Sequence, residues 1–301
     1  MTLLLDVFLP GLVIFIMTIV GMDLRFADFL RVRRYPLLVP AIIAGQWAAA
    51  ILVAGLVGKL LELSYSIAGG ALLVAAAPVA ALSNYYAQLA NGHLALAVTV
   101  TAISTVLAIA LTPLAASAGF ALFLGSAATI DLPLLKIAQQ TFVGLVLPLL
   151  AGMVIRQRAP AWSLRWQRRL QMLGFAASVA IFVFVVVAQF TAIREDWAPL
   201  LAASLLYTFA LLVVALVVAR LAGFDHADRW ALVWGFPARN LAVAALIATT
   251  VVGQLAMATF GAVLFAVHLA TMIPLALWIG RNSGRRKGVT RRQEVESSSR
   301  L

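Results

Sequence analysis

The sequence predicts an all-α polytopic membrane protein with nine transmembrane helices, and two observations lead to this fold class. Hydrophobic residues make up 64% of the 301 residues and charged residues only 11%, and the mean hydropathy of +1.04 lies far above that of soluble domains. The apolar residues also form runs of about 20, which is the length that an α-helix needs to cross a bilayer core of about 30 Å.

Nine of these apolar runs are long enough to span a membrane. They cover Leu3–Met22, Leu37–Val57, Ile67–Ala90, Leu94–Ala115, Pro133–Ile155, Leu170–Ile193, Pro199–Leu221, Trp230–Val252 and Leu255–Gly280. A further apolar piece, Phe120–Leu124, lies in the predicted loop 116–132 and is too short to span. The first run has no basic flank and leads straight into more spans, so we expect a membrane helix there and not a cleaved signal peptide.

The basic residues predict how the spans are oriented. The formal net charge is +11, and arginines cluster after spans one, five, seven and nine, which face one side if there are nine spans. Because basic loops stay in the cytoplasm, we expect the inner membrane of a cell, with the amino terminus outside and the carboxyl terminus inside. The charge therefore indicates topology and not a nucleic-acid partner. Residues 1–281 form the predicted transmembrane domain, and residues 282–301 a disordered basic tail that faces anionic lipid.

The residues that are absent exclude several functions. The chain has no cysteine, which excludes disulfides, thiolate metal sites and iron–sulfur clusters. Between Asp228 and Glu294 there is no carboxylate, and the other acids lie at or beyond span ends, apart from Asp6. Paired carboxylates for hydrolysis are therefore missing, and we predict neither an enzyme nor a bound cofactor.

Span eight contains the most unusual stretch of the chain, where Gly235, Pro237 and Arg239 interrupt an apolar run. A proline inside a helix removes a hydrogen-bond donor and clashes with the preceding turn, so the helix is predicted to unwind there. Unwound backbone at membrane depth must be buried or line a wet cavity. An arginine at mid-span costs about 2.5 to 3.5 kcal/mol and usually marks a substrate or ion path. The alternative is that Arg239 snorkels or caps a loose carbonyl.

Span three contains a second interruption. Pro78 is followed by Ser83 and Asn84, as Pro237 is followed by Asn240, and the two spans run in opposite directions. Two such interruptions at corresponding places indicate an inverted-repeat secondary transporter with its substrate site where they meet, although membrane helices tolerate proline for other reasons. The positive end of the half-helix after Pro237 favours a small organic anion. The substrate-binding candidates are Arg239, Asn240, Asn84 and Pro237.

Other polar residues lie inside the spans. Most serines and threonines are expected to hydrogen-bond between helices, but Thr101 and Ser104 share one helix face and are candidates for a site. His268 is either a packed hydrogen-bonding group or a proton carrier.

A family resemblance covers nearly the whole length of the chain, and the stretches that carry it most clearly lie in the first half. They are Gly21–Leu24 after span one, Ala44–Gln46 in span two, the run Ala81–Gly92, and Leu111–Pro113 with the preceding Leu94–Thr101. In these stretches the chain resembles the bile acid:sodium symporter family, in its nine-span bacterial form. The resemblance implies a panel domain of spans 1, 5 and 6, a core domain of spans 2–4 and 7–9, inverted repeats, and two broken helices that cross beside two sodium sites.

The resemblance also implies which residues would bind sodium. Ser83, Asn84 and Thr101 match the first sodium site and Gln46 matches the second. Ala97 stands where the family has another hydroxyl, and Val233 stands where it has a glutamate that serves both sites, with Pro237 at a glutamine position. A nearby guanidinium repels a cation, so we expect sodium coupling to be weakened or lost.

The sequence therefore predicts a secondary transporter of a small organic anion that works by alternating access. One alternative is a sodium-coupled symporter that uses Gln46, Ser83, Asn84, Thr101 and backbone carbonyls. Another is a membrane receptor or scaffold that does not transport. The identity of the substrate, the coupled ion and the oligomeric state are not determined by the sequence.

Overall fold

The computed structural model describes residues 7–30, 38–125 and 133–298, with side chains as far as Ser283, and every regular element in these ranges is a helix. In chain order the helices are α1 Leu9–Asp23, α2 Phe26–Leu30, α3 Leu38–Leu60, α4 Tyr65–Ala76, α5 Leu82–Leu89, α6 Leu94–Phe123, α7 Leu134–Thr141, α8 Leu147–Arg158, α9 Pro160–Ala188, α10 Phe190–Glu195, α11 Trp197–Leu221, α12 His226–Val233, α13 Leu241–Thr250 and α14 Ala258–Ser298. A π-helical segment, Phe142–Val146, joins α7 to α8, and a 3-10 turn, Leu255–Met257, precedes α14.

Six helical segments are long and apolar enough to cross a membrane. They are Val39–Leu60, Leu94–Phe123, Leu134–Arg158, Pro160–Ala188, Trp197–Leu221 and Leu255–Ser283. The other three predicted spans coincide with shorter apolar helices, namely α1, α4 and α13. For α1 the predicted start at Leu3 lies outside the described residues. Helices α4 and α13 are short because each forms only one half of an interrupted span. The all-helical membrane fold is confirmed, whereas the count of nine spans stays a prediction.

Two predicted boundaries are wrong. Helix α6 continues to Phe123 and so includes part of the stretch predicted as a loop after span four. Pro113 lies inside α6, so a proline by itself does not end this helix. Helix α9 begins at Pro160, ten residues before predicted span six. The backbone of α14 is helical as far as Ser298, and the disorder of the tail in solution stays a prediction.

Helices α1, α8 and α9 pack together as one group. Glycine allows α1 and α8 to touch through their backbones, because a Cβ at Gly21 would overlap the Leu149 carbonyl and a Cβ at Gly152 would overlap the Thr18 carbonyl. Small residues of this kind let membrane helices approach closely, which strengthens their van der Waals packing.

Helices α3, α4, α6, α11 and α14 form a second group, which holds α5, α12 and α13. Its buried core includes the segments around both interruptions, with Ala75, Ala76, Val79 and Ala238 all at most 1% exposed. The two groups meet where α1 contacts α13 and where α9 contacts α14. The interrupted helices therefore lie inside the second group, and one of them also borders the first.

Candidate functional site

Both interruptions predicted from proline are present. Helix α4 ends at Ala76 and α5 begins at Leu82, while α12 ends at Val233 and α13 begins at Leu241. The four half-helices thus leave two short non-helical segments, 77–81 and 234–240, within the second group. Each half-helix has a polar end there, since the last carbonyls and the first N–H groups of a helix have no partner within it.

The two segments pair with one another, and the place where they pair is called the crossing below. Val79 and Arg239 face each other in an isolated antiparallel β-bridge. Two backbone hydrogen bonds flank this pair, from the Ala80 N–H to the Ala238 carbonyl and from the Asn240 N–H to the Pro78 carbonyl, both 2.8 Å long. The unwound backbone thereby satisfies part of its own hydrogen-bonding requirement, as it must where lipid offers no partner.

Side chains from α3 and α6 form hydrogen bonds with two further backbone groups at the first interruption. The Val79 N–H donates to Ser104 Oγ of α6 at 3.0 Å. The indole Nε1 of Trp47, in α3, donates to the Ala76 carbonyl at 2.8 Å. The crossing is therefore held from both sides by side chains that are fully buried or nearly so.

Arg239 occupies the centre of the crossing and is 1% exposed. Its Nη2 donates to the Ala75 carbonyl at 3.0 Å, and the guanidinium carbon lies 4.8 Å from the centroid of the Trp47 ring. Ala75 belongs to the last turn of α4, where the helix dipole is negative, so the guanidinium is stabilised by the dipole and by the aromatic face. The capping contact that the sequence analysis offered as the structural alternative is thus present.

The hydrogen bond to the Ala75 carbonyl involves only one nitrogen of the guanidinium. Nε and Nη1 of Arg239 are buried and have no hydrogen-bond partner among the described residues. The Tyr207 hydroxyl of α11 is likewise buried without such a partner. Unpaired donors in a dry environment are costly, and charged donors bind anionic acceptors strongly.

Asn240 caps the second half-helix of span eight. Its Oδ1 accepts from the Val243 N–H at 3.3 Å, and its Nδ2 lies 3.6 Å from Met17 Sδ in α1. The side chain thus marks the point where the two helix groups meet beside the crossing. Pro237 lies in the same interruption, three residues earlier, and cannot donate a backbone hydrogen bond.

The three residues that match the first sodium site are close together, with Ser83 and Asn84 at the start of α5 and Thr101 on the neighbouring α6. Thr101 Oγ1 lies 3.0 Å from both Asn84 Oδ1 and the Ala97 carbonyl, and Ser83 Oγ donates to the Ala80 carbonyl at 2.8 Å. Both hydroxyls act as donors here, which leaves their lone pairs able to accept or to bind a cation.

Gln46, the residue that matches the second sodium site, lies beside the other interruption. It is fully buried, and neither of its amide atoms has a partner among the described residues. A Cβ at Gly235 would lie 2.7 Å from its Nε2, so the amide is in close contact with this glycine and would have to shift for a larger residue. Val233, in the position of the family's glutamate, is completely buried. Across the described ranges, no group of three or more histidines and acids could hold a metal ion.

Two contacts at the crossing, those of Trp47 and Met17, were not predicted from the sequence. Trp47 follows Gln46 directly, and an aromatic ring next to a candidate site residue was the available signal for a cation contact. Met17 lies in an unbroken apolar run, and nothing in the run distinguishes it.

His268 is buried in α14, with Nε2 unpartnered among the described residues, and its role stays open as predicted.

Comparison with known proteins supports the resemblance. The model of the sodium bile acid symporter family matches residues 10–196, which include the first interruption but not the second. A curated relative from Oryza sativa subsp. japonica, named a probable sodium/metabolite cotransporter (BASS2, chloroplastic), is 31% identical over 160 residues. The alignment covers 53% of this chain and 36% of the relative, so it spans little more than a third of that protein.

Proposed function

Since the chain belongs to the sodium bile acid symporter family, a family of multi-pass membrane transporters and not of enzymes, we propose that it moves a small organic anion by alternating access. We further propose that its sodium coupling is weakened or lost. The single observation that carries this proposal is the buried Arg239 guanidinium at the crossing of the two interrupted helices.

An anion fits the chemistry of the crossing. Arg239 uses Nη2 on the Ala75 carbonyl and stacks on Trp47, while Nε and Nη1 have no partner among the described residues. A carboxylate that reached these two groups would accept charge-assisted hydrogen bonds. The amino terminus of α13, which follows Asn240, adds positive potential at the same interruption as Arg239. Asn84 and Asn240 can supply further polar contacts to the anion.

A sodium ion fits the same place less well. Two unit positive charges 4 Å apart repel by roughly 4 kcal/mol at an effective dielectric constant of 20, which corresponds to about a thousand-fold weaker binding. Val233 supplies no charge to offset this repulsion. The positive charge that a bound cation would place beside the carbonyls at the end of α4 is already supplied by Arg239.

The helix groups suggest how alternating access works. The proposed panel is formed by α1, α8 and α9 and the proposed core by the helices around the crossing, and the two meet at Met17 and Asn240. Movement of one group against the other would expose the crossing first to one side of the membrane and then to the other, as in other inverted-repeat transporters. We retain nine spans, the amino terminus outside and the carboxyl terminus in the cytoplasm as parts of this proposal.

The test is uptake into vesicles that contain the purified protein. Radiolabelled taurocholate, acetate, lactate and benzoate serve as probes, first with Na⁺ outside and then with K⁺ in its place. We expect at least one probe to be taken up at the same rate in both salts. Arg239→Ala should lower that uptake about ten-fold or more, because the donors are lost. Arg194→Ala, which removes an exposed arginine at the end of α10, should leave it unchanged.

Each other outcome favours a different function. Strict dependence on Na⁺ would favour sodium symport, which the unpartnered Gln46 Oε1 and the printed name of the rice relative also support. In that case Gln46, Ser83, Asn84 and Thr101 are the proposed sodium ligands. Unchanged uptake in folded Arg239→Ala would return this arginine to a structural role. Probe binding without uptake would favour a receptor or scaffold.

A further inference from the structure

A cavity of about 320 Å³ lies away from the crossing, between the α1–α2 turn and the α8–α9 turn. Its polar lining is Arg25, Arg156 and Gln157, and its apolar lining includes Phe26, Met153 and Leu164. The volume is at the lower end of the range for small-molecule sites, roughly 300 to 1,000 Å³. The cavity is thus large enough for a compact polar group with an apolar group beside it.

The two guanidinium groups give the cavity a positive charge. Arg156 Nη1 donates to the Met22 carbonyl at 2.6 Å, which uses one of the five N–H donors of that side chain and fixes its position. The Arg25 side chain is exposed. Within the described ranges neither guanidinium is in an ion pair. Both can therefore bind an anionic group.

Two carboxylates lie near the cavity, and both accept other hydrogen bonds. Asp28 Oδ2 accepts from the backbone N–H of Arg25 at 2.8 Å. Asp23, which ends α1, accepts hydrogen bonds from Gln167 Nε2 and Gln171 Nε2 of α9, both at 2.9 Å. These amides hold the carboxylate against α9, and Asp23 attracts the Arg156 guanidinium without a close ion pair between them.

The surroundings of the cavity are apolar and exposed. Phe26 is 47% exposed, Leu164 57% and the adjacent Trp162 48%. Exposed tryptophan and arginine near the end of a membrane helix are typical of the level of the lipid headgroups. Both turns also belong to the arginine-rich loops, which lie at the cytoplasmic leaflet in the proposed orientation, where anionic lipids are found.

We propose that this cavity binds the phosphate of an anionic phospholipid headgroup between Arg25 and Arg156. The first acyl carbons then lie against Phe26 and Leu164. A basic recess between membrane helices at the cytoplasmic surface is a known way of recognising such lipids. This site is separate from the crossing, and the proposal holds whatever the protein transports.

Thermal unfolding of the purified full chain in nanodiscs tests the proposal. The discs contain either phosphatidylcholine alone or phosphatidylcholine with phosphatidylglycerol, and a third sample has phosphatidylcholine with inorganic phosphate in solution. Phosphatidylglycerol should raise the unfolding midpoint, because a ligand of the native state stabilises it. Inorganic phosphate should leave the midpoint unchanged, because it lacks the acyl chains.

The variant and its control are matched in charge, chemistry and predicted membrane side. Arg25→Gln should weaken the phosphatidylglycerol effect roughly five-fold in lipid concentration. Arg165→Gln, which removes an exposed arginine next to Leu164 but outside the cavity lining, should respond as the wild type does. Equal responses of the two variants would overturn the site. An equal effect of inorganic phosphate would overturn its assignment to a lipid.

Discussion

At the scale of single residues, Arg239 determines the chemistry of the crossing. The sequence was sufficient to predict that this arginine lies in an interruption, since Gly235 and Pro237 precede it within an apolar run. Its main partner could not be predicted, because the Ala75 carbonyl lies 164 positions away and backbone atoms carry no sequence signal. The contact with Trp47 likewise depends on how α3 packs against both interruptions.

Ser104 should be more important for stability than an ordinary membrane serine. Ser104→Ala leaves the buried Val79 N–H without its side-chain partner, which should lower the free energy of unfolding by about 1 to 3 kcal/mol. Unfolding in mixed micelles with increasing SDS measures this change. Ser178→Ala is the control, because its hydroxyl donates only to the Gly174 carbonyl of its own helix and the expected change is within about 0.5 kcal/mol. Equal losses in both variants would mean that Ser104 does not support the crossing.

At the scale of helices, the positions of both interruptions were predictable and their pairing was not. The breaks occur at residues 77–81 and 234–240, around the prolines that predicted them. Pro113 and Pro274, in contrast, lie within continuous helices. A proline therefore indicates where a helix can break, and tertiary contacts such as those of Ser104 and Trp47 decide whether it does. The antiparallel bridge between Val79 and Arg239 joins elements too distant in sequence for any local pattern to reveal it.

The close contact of α1 and α8 should depend on its glycines. Gly21→Ala places a methyl group into the Leu149 carbonyl, so the helices must separate, and we expect a loss of about 1 to 3 kcal/mol in unfolding free energy. Gly11→Ala, in the same helix, meets no atom within 4 Å and should keep or slightly raise the stability. SDS unfolding of the two variants provides the comparison. A loss in Gly11→Ala as large as that in Gly21→Ala would show that helix packing is not the cause.

At the scale of the whole molecule, the crossing lies in one helix group and borders the other. Composition and hydropathy were sufficient to predict an all-helical membrane protein, because the bilayer allows few alternatives. The grouping of α1 with α8 and α9 came from a family resemblance and not from periodicity, since helix partners depend on contacts such as those of Gly21 and Gly152. The link between Met17 and Asn240 then connects the proposed anion site to the interface between the groups.

The central claim is that Arg239 supplies the positive charge that a sodium ion would otherwise bring to the crossing. The most direct measurement is the thermal unfolding midpoint of the purified wild-type chain in NaCl, KCl and choline chloride at equal ionic strength and without substrate. A cation that binds the native state raises its stability, and the rise saturates with concentration. We predict the same midpoint in all three salts at every concentration. A saturable increase in NaCl alone would contradict the claim and identify a sodium site that coexists with the guanidinium.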